Sequence, residues 1–252
     1  MVRKLYIDLE KMFGSYYIYF CMISLGLVYI VVYFQTLSSG MYQFGIVASY
    51  DSVAEGSMVM LVSFLLSIVG GSVFYCAEEK YGYFRFEIQR VGTSVYTISK
   101  LLISVIGGFC TVIVGNLIYL CGIILHRLWM FGTITFVEEN IEHLIWLWLF
   151  SALRCGVLSA IGFLVSTYIS NYYIAMTVPL LMYYVILELE YWISIYFPII
   201  PEKFFFTDAY LAGYVEGNDL HEFIFALLYT ACVLIIIYRI AKSRIERRLE
   251  HE

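Results

Sequence analysis

The chain has 252 residues, of which 62% are hydrophobic and only 14% are charged, and its mean hydropathy is +0.84. Soluble domains carry about 25% charged residues, so this composition excludes a water-soluble globular protein and predicts an all-α protein that crosses a membrane several times. The formal net charge of −5 is unevenly distributed. The six cysteines lie within or at the ends of apolar runs, which excludes a disulfide framework and a CxxC metal site.

Residues 2–14 are charged and precede an apolar run, as in a signal peptide. The run from Ser15 to Leu37 is too long for a signal peptide, and no small-residue cleavage site follows it. We therefore expect it to remain as the first membrane span. A span needs about 20 apolar residues. By that criterion the whole chain is one transmembrane domain with six spans, at residues 16–37, 57–77, 100–125, 144–169, 172–197 and 221–240.

Lys and Arg residues accumulate on the cytoplasmic side of membrane proteins. With the N-terminus inside, the cytoplasmic segments contain 12 of the 15 basic residues, whereas Arg127 and Lys203 lie outside and Arg154 lies within a span. The sequence therefore predicts that both termini are cytoplasmic and that the outer loops are acidic. The 12 residues are Arg3, Lys4, Lys11, Lys80, Arg85, Arg90, Lys100, Arg239, Lys242, Arg244, Arg247 and Arg248.

Residues 78–99 form the longest charged break between two spans. Within this break, Phe84, Ile88 and Val91 recur at helical spacing, and polar residues occupy the opposite side. The pattern predicts a short amphipathic helix on the cytoplasmic membrane surface, which ends at Gly92 and leads into the third span at Lys100.

The fourth and fifth spans contain the intramembrane charges Arg154, Glu188 and Glu190. The spans are joined by a tight turn near residues 170–171, so Arg154 and Glu188 are at nearly the same depth. Because buried charges in membranes usually pair, we predict an Arg154–Glu188 ion pair, with Glu190 as the alternative partner. Arg154 could instead snorkel to the surface or contact backbone carbonyls.

Two further patterns concern packing and the outer surface. Small residues recur four apart in the third span (Gly107, Thr111, Gly115) and in the fourth (Ser151, Cys155, Ser159), which predicts close helix packing rather than a transport pathway. Residues 198–219 are apolar but broken by proline and glycine. They predict a helical hairpin half inserted at the outer interface, before the last span.

Signatures of enzymatic chemistry are missing from the sequence. His221-Glu222 has no second histidine four residues on, there is no GxSxG motif, and there is no GxxxxGK[ST] phosphate loop. We therefore expect no catalytic residue, no metal site and no bound cofactor in this chain, and no nucleic-acid partner. The basic C-terminal residues 240–252 are expected to anchor the chain at an anionic membrane surface.

The predicted topology and the segment from Glu79 to Lys100 together resemble the permease subunits of type-2 ABC exporters. In that family an acidic residue is followed by a glycine-led amphipathic helix, a break, and a lysine that opens the third span. Here these positions are Glu79, Gly82, the helix from Tyr83 to Arg90, Gly92 and Lys100. The break is often a proline in the family and is Val91–Gly92 here, and Tyr83 replaces a frequent threonine.

The resemblance implies a transport subunit whose ATP and Mg²⁺ are bound by a separate ABC ATPase. It also implies pairing with a second permease copy or a related permease in a bacterial plasma membrane. The implied cargo is amphipathic or hydrophobic, such as lantibiotics and other antimicrobial peptides, and the export of such peptides would confer resistance. The implied ATPase-contacting residues are Glu79, Tyr83, Phe84, Glu87, Ile88 and Arg90. The alternatives are a substrate-capture membrane subunit of an importer and a membrane-embedded enzyme.

Overall fold

The computed structural model describes residues 2–38, 57–80, 82–131, 141–169, 171–197, 205 and 219–251. All regular secondary structure in these ranges is α-helical, in eight helices. In chain order they are α1 (Val2–Phe13), α2 (Tyr16–Ser38), α3 (Ser57–Lys80), α4 (Tyr83–Val91), α5 (Thr93–Phe131), α6 (Ile141–Tyr168), α7 (Tyr172–Tyr196) and α8 (Asp219–His251). The predicted all-α class is confirmed for this part of the chain.

Five of the helices are long and apolar enough to cross a membrane, which indicates a multi-pass membrane protein. These are α2, α5, α6, α7 and α8. The second predicted span corresponds to α3, whose described apolar part is the shorter stretch Val59–Gly71. The predicted outer hairpin at residues 198–219 lies almost wholly outside the described residues.

The helix boundaries between residues 78 and 131 differ from the predicted ones. Residues 78–80 continue α3, and residues 93–99 already belong to α5, so only α4 remains of the predicted cytoplasmic segment. α5 has 39 residues, or about 58 Å at 1.5 Å per residue, and extends past both ends of the predicted span 100–125. Lys100 therefore lies about two turns inside α5. Carboxylates from other helices compensate its charge there.

α6 is the central helix of the described bundle. Buried residues make up 72% of its most apolar stretch, against 17% for α7 and for α8. α5 and α3 pack against α6, α2 packs along α5, and α7 and α8 cover the outside. The helices with most exposed apolar surface are thus at the periphery, where lipid or a partner would cover them.

Small side chains let α3, α5 and α6 approach closely. A Cβ atom at Gly71 of α3 would lie 2.0 Å from Ser159 Oγ and 2.3 Å from the Ser104 carbonyl oxygen. Ser104 Oγ donates a hydrogen bond of 2.8 Å to the Ser159 carbonyl, which ties α5 to α6. A Cβ at Gly107 would lie 2.9 Å from the Gly70 carbonyl. These contacts agree with the packing role predicted for the small residues.

Candidate functional site

Two glycines isolate α4 from the helices on either side. Gly82 precedes α4 with φ 72°, and Gly92 follows it with φ 81°. Side chains disfavour this backbone region, and an added Cβ would meet nothing within 4 Å at either position, so glycine is needed here for its conformation alone. The predicted short helix and its end at Gly92 are confirmed, whereas its position at the cytoplasmic membrane surface stays a prediction.

The inner face of α4 packs against the chain's own helices. Phe84 and Ile88 are only 6% and 5% exposed. The Phe84 ring lies 6.0 Å from the Tyr75 ring of α3 and 5.8 Å from the Tyr96 ring of α5, measured between centroids. Tyr75 in turn contacts Phe163 of α6 at 5.4 Å. A continuous aromatic contact therefore links α4 to the centre of the bundle.

The opposite face of α4 is exposed and partly aromatic. Tyr83 is 63% exposed, Phe86 is 74% exposed, and Arg90 is also exposed. These residues are three and four positions apart, so they lie on one side of the helix. We call Tyr83, Phe86 and Arg90 the exposed α4 face. An exposed phenylalanine beside a tyrosine and an arginine is the composition of a protein-binding hot spot.

The structure divides the residues predicted to contact a partner into two groups. Tyr83 and Arg90 are accessible, whereas Phe84 and Ile88 are part of the core of the chain. Glu79 belongs to α3, and its side chain lies outside the described part of the structure. Sequence reasoning missed Phe86, although its spacing from Tyr83 and Arg90 was the signal that identifies it.

The N-terminal helix α1 binds α4 through ion pairs. Lys4 Nζ lies 2.8 Å from Asp8 of its own helix and 2.5 Å from Glu87 of α4. Lys11 Nζ lies 3.0 Å from the other Glu87 oxygen. Glu87 thus binds two lysines of α1, and its predicted contact with the ATPase stays a prediction.

The same set of charges continues from α1 into α3 and α5. Lys100 Nζ of α5 lies 3.3 Å from Asp8 and 2.5 Å from Glu78 of α3. Ser99 Oγ donates a 2.7 Å hydrogen bond to Asp8, and the Tyr96 hydroxyl donates one of 3.1 Å to Glu78. We call Lys4, Asp8, Lys11, Glu78, Glu87 and Lys100 the charge cluster. It connects α1, α3, α4 and α5 at one point.

The environment keeps Lys4, Asp8 and Glu87 ionised. Burial opposes ionisation of Asp8, but the Lys100 charge and hydrogen bonds from Lys4 and Ser99 outweigh it and lower the pKa of Asp8. The pKa of Glu87 is likewise lowered, because its bonds with Lys4 and Lys11 outweigh burial. Burial of Lys4 is outweighed by the two carboxylates, so the pKa of Lys4 is raised. All three groups carry their charges at neutral pH.

Carboxylate oxygens of Asp8, Glu78 and Glu87 lie within 4.8 Å of one another, a spacing that a metal ion could bridge. Three lysines already contact these three carboxylates, so the group has no net charge. A cation would have to displace ammonium groups that are in direct contact with the carboxylates. We therefore assign the charge cluster a structural role.

The predicted ion pair of Arg154 is not formed among the described residues. The Arg154 guanidinium lies 5.1 Å from the centre of the Phe64 ring, and Tyr183 of α7 contacts the same ring at 4.6 Å. Glu188 is exposed. It is five residues from Tyr183, which corresponds to about 140° around the helix, so when Tyr183 faces inward Glu188 faces outward. Glu190, the alternative partner, makes no ion pair with Arg154 either.

Comparison with protein-family models, with curated proteins and with solved structures finds no match to this chain. The functional interpretation therefore depends on the geometry of α4, the charge cluster and the surrounding helices.

Proposed function

We propose that this chain is the membrane-spanning permease subunit of an ATP-driven ABC exporter. The exposed α4 face carries the proposal, because it places Tyr83, Phe86 and Arg90 outside the bundle on a helix that is held firmly from behind. In this proposal α3 completes six spans, both termini are cytoplasmic, and a separate ABC ATPase binds ATP and Mg²⁺.

The contacts behind α4 support a role in transmitting force. Phe84 and Ile88 anchor its inner face, and Glu87 fixes it to α1. Movement of an attached ATPase would displace α4 as a rigid unit about the glycines at positions 82 and 92. The aromatic contact through Tyr75 would carry this movement to α6. A rigid short helix between two flexible residues is suited to such coupling.

The peripheral helices suit a second permease copy and an apolar cargo. On α2 the exposed side chains Phe20, Leu27 and Phe34 are seven residues apart, and so lie in one row. α7 also exposes most of its apolar surface. We propose that these helices line the subunit interface and the conduit, and that the cargo is amphipathic or hydrophobic, such as an antimicrobial peptide.

Co-purification tests the proposal. The tagged chain is co-expressed with a candidate phosphate-loop ATPase from the same genome, and the ATPase retained after detergent extraction is quantified. We expect Phe86→Asp to lose the ATPase while the permease keeps its yield and melting temperature, because the Phe86 side chain is 74% exposed. Tyr6→Asp is the matched control, since Tyr6 is an exposed aromatic residue of α1 outside the exposed α4 face.

Two outcomes would contradict the proposal. One is equal ATPase retention by the wild type and by Phe86→Asp. The other is that no phosphate-loop ATPase binds the wild-type chain at all. A membrane subunit of an importer that only captures substrate needs no exposed α4 face, so the first outcome would favour that alternative.

A further inference from the structure

An arginine-lined cleft lies between the end of α6 and the C-terminal part of α8. Its volume is about 370 Å³, at the lower end of the range of about 300–1,000 Å³ that is typical of small-molecule sites. The cleft therefore has the size of a polar headgroup or a small ion with its water. It is lined by Tyr168, Arg239, Ile240, Ser243, Arg244 and Arg247, which we call the arginine cleft.

The arginines of the cleft have no acidic partner among the residues that the structure describes. Arg239, Arg244 and Arg247 have no carboxylate within 4.0 Å in the part of the chain that the structure describes. The nearby acid Glu246 is not part of the lining and lies 3.7 Å from Lys242. Three guanidinium groups without a carboxylate partner in the described ranges favour the binding of an anion.

Arg244 is held in place, but one of its hydrogen-bond donors has no acceptor. Its guanidinium carbon lies 5.0 Å from the centre of the Tyr168 ring, and its buried Nε atom has no hydrogen-bond acceptor. Buried donors are normally paired, so Arg244 can still bind an acceptor oxygen. The Tyr168 carbonyl at the end of α6 accepts a 3.4 Å hydrogen bond from Arg248. That contact offsets the negative end of α6, which would otherwise repel an anion.

An apolar surface leads directly into the cleft. Exposed side chains recur every four residues along α8, so they form one row along the helix. The next position in this row is Arg244. A surface of this kind fits an amphiphile that has an acyl chain along the helix and an anionic group in the cleft. The row consists of Ile224, Leu228, Cys232, Ile236 and Ile240.

We propose that the arginine cleft binds a phosphate group, and that the apolar row on α8 makes an anionic phospholipid its ligand. Arginine binds phosphate oxygens through parallel N–H donors, which lysine cannot do. The aromatic contacts Tyr168–Arg244 and Phe163–Tyr75–Phe84 place the cleft at the same end of the bundle as α4. The site depends on residues of this chain alone and does not require an ATPase partner.

Native mass spectrometry of the full chain in detergent tests this proposal. The chain is titrated with dioleoylphosphatidylglycerol or with dioleoylphosphatidylcholine, and bound lipids are counted. The variant Arg239→Gln/Arg247→Gln removes two exposed guanidinium groups of the cleft. The control Lys80→Gln/Lys242→Gln removes two positive charges outside the cleft. We expect the first variant to bind phosphatidylglycerol about tenfold more weakly or worse, and the control to bind it as the wild type does.

Excess inorganic phosphate in a parallel titration distinguishes the two sources of the phosphate group. Phosphatidylglycerol that stays bound identifies the lipid as the ligand. Displacement of the lipid from the wild type by phosphate identifies a free phosphate as the preferred ligand of the same cleft. Equal binding of phosphatidylglycerol and phosphatidylcholine, or equal losses in the cleft variant and the control, would overturn the proposal. If the double variant does not fold, Arg247→Gln is compared with Lys242→Gln in the same titration.

Discussion

The replacement Asp8→Asn tests whether the charge cluster holds α1 against α4 and α5. The Asp8 side chain is only 1% exposed and accepts bonds from Lys4, Ser99 and Lys100. Asparagine keeps the shape and removes the charge. The substitution therefore isolates the ionic contribution from packing.

The free-energy loss expected for Asp8→Asn depends on the ion pairs that Lys4 and Lys100 keep after the substitution. Removing one partner from a buried ion pair costs about 3–5 kcal/mol when the other charge is left alone. Here Lys4 keeps Glu87 and Lys100 keeps Glu78, each at 2.5 Å. The loss should therefore approach that of one hydrogen bond to a charged group, about 1.5–3 kcal/mol. If this loss weakens the docking of α1, amide exchange in α1 should accelerate about 10- to 150-fold.

Hydrogen exchange read by mass spectrometry on peptides from residues 2–13 measures this effect. A free helix of 12 residues is marginal in water, so undocking should expose its amides. Glu10→Gln is the matched control, since Glu10 is an exposed acid of the same helix. Unchanged exchange in Asp8→Asn, or equal acceleration in Glu10→Gln, would refute the role assigned to the cluster.

Three further predictions concern pH, packing and the intramembrane arginine. The pKa of Asp8 lies below its usual 3.8, so the stabilisation that Asp8 provides is present above pH 3.8 and is lost as the pH falls through the lowered value. The difference in melting temperature between the wild type and Asp8→Asn should therefore vanish in acid. A difference that stays constant with pH would contradict this. Gly71→Ala should lower the free energy of unfolding by about 2 kcal/mol or more, because its Cβ would overlap oxygen atoms of α5 and α6. Thermal melts should show a smaller loss of stability for Gly156→Ala, where the atom nearest to the added Cβ is 3.2 Å away. Arg154→Met should leave the melting temperature unchanged or higher, because no ion pair with a described residue is lost; a marked decrease would show that the guanidinium is needed.

The sequence predicted most of the secondary structure, for identifiable reasons. Long uncharged runs have few alternatives to membrane helices, and Gly82 and Gly92 delimit α4 because their positive φ angles interrupt a helix. α1 was missed, although Leu5, Leu9 and Met12 recur at helical spacing there. Its partners lie about 80–90 residues away in the chain, and only the tertiary structure brings them together.

The candidate site was predicted less well, because sequence gives position along a helix but not its rotation. Phe84 and Phe86 are two residues apart and therefore about 160° apart around α4. The chain's own core takes Phe84 and leaves Phe86 exposed. For the same reason Arg154 and Glu188 were expected at equal depth, but the inward rotation of Tyr183 points Glu188 away.

We propose above that the exposed α4 face binds a cytoplasmic ATPase. A photo-crosslinking amino acid at position 86, activated in intact cells, tests it most directly. The same amino acid at position 129 is the comparison, since Trp129 is also highly exposed but lies near the other end of α5. We predict a crosslinked product between this chain and an ABC ATPase from position 86 and none from position 129. Crosslinking of the ATPase from position 129 alone, or from neither position, would contradict the proposed function.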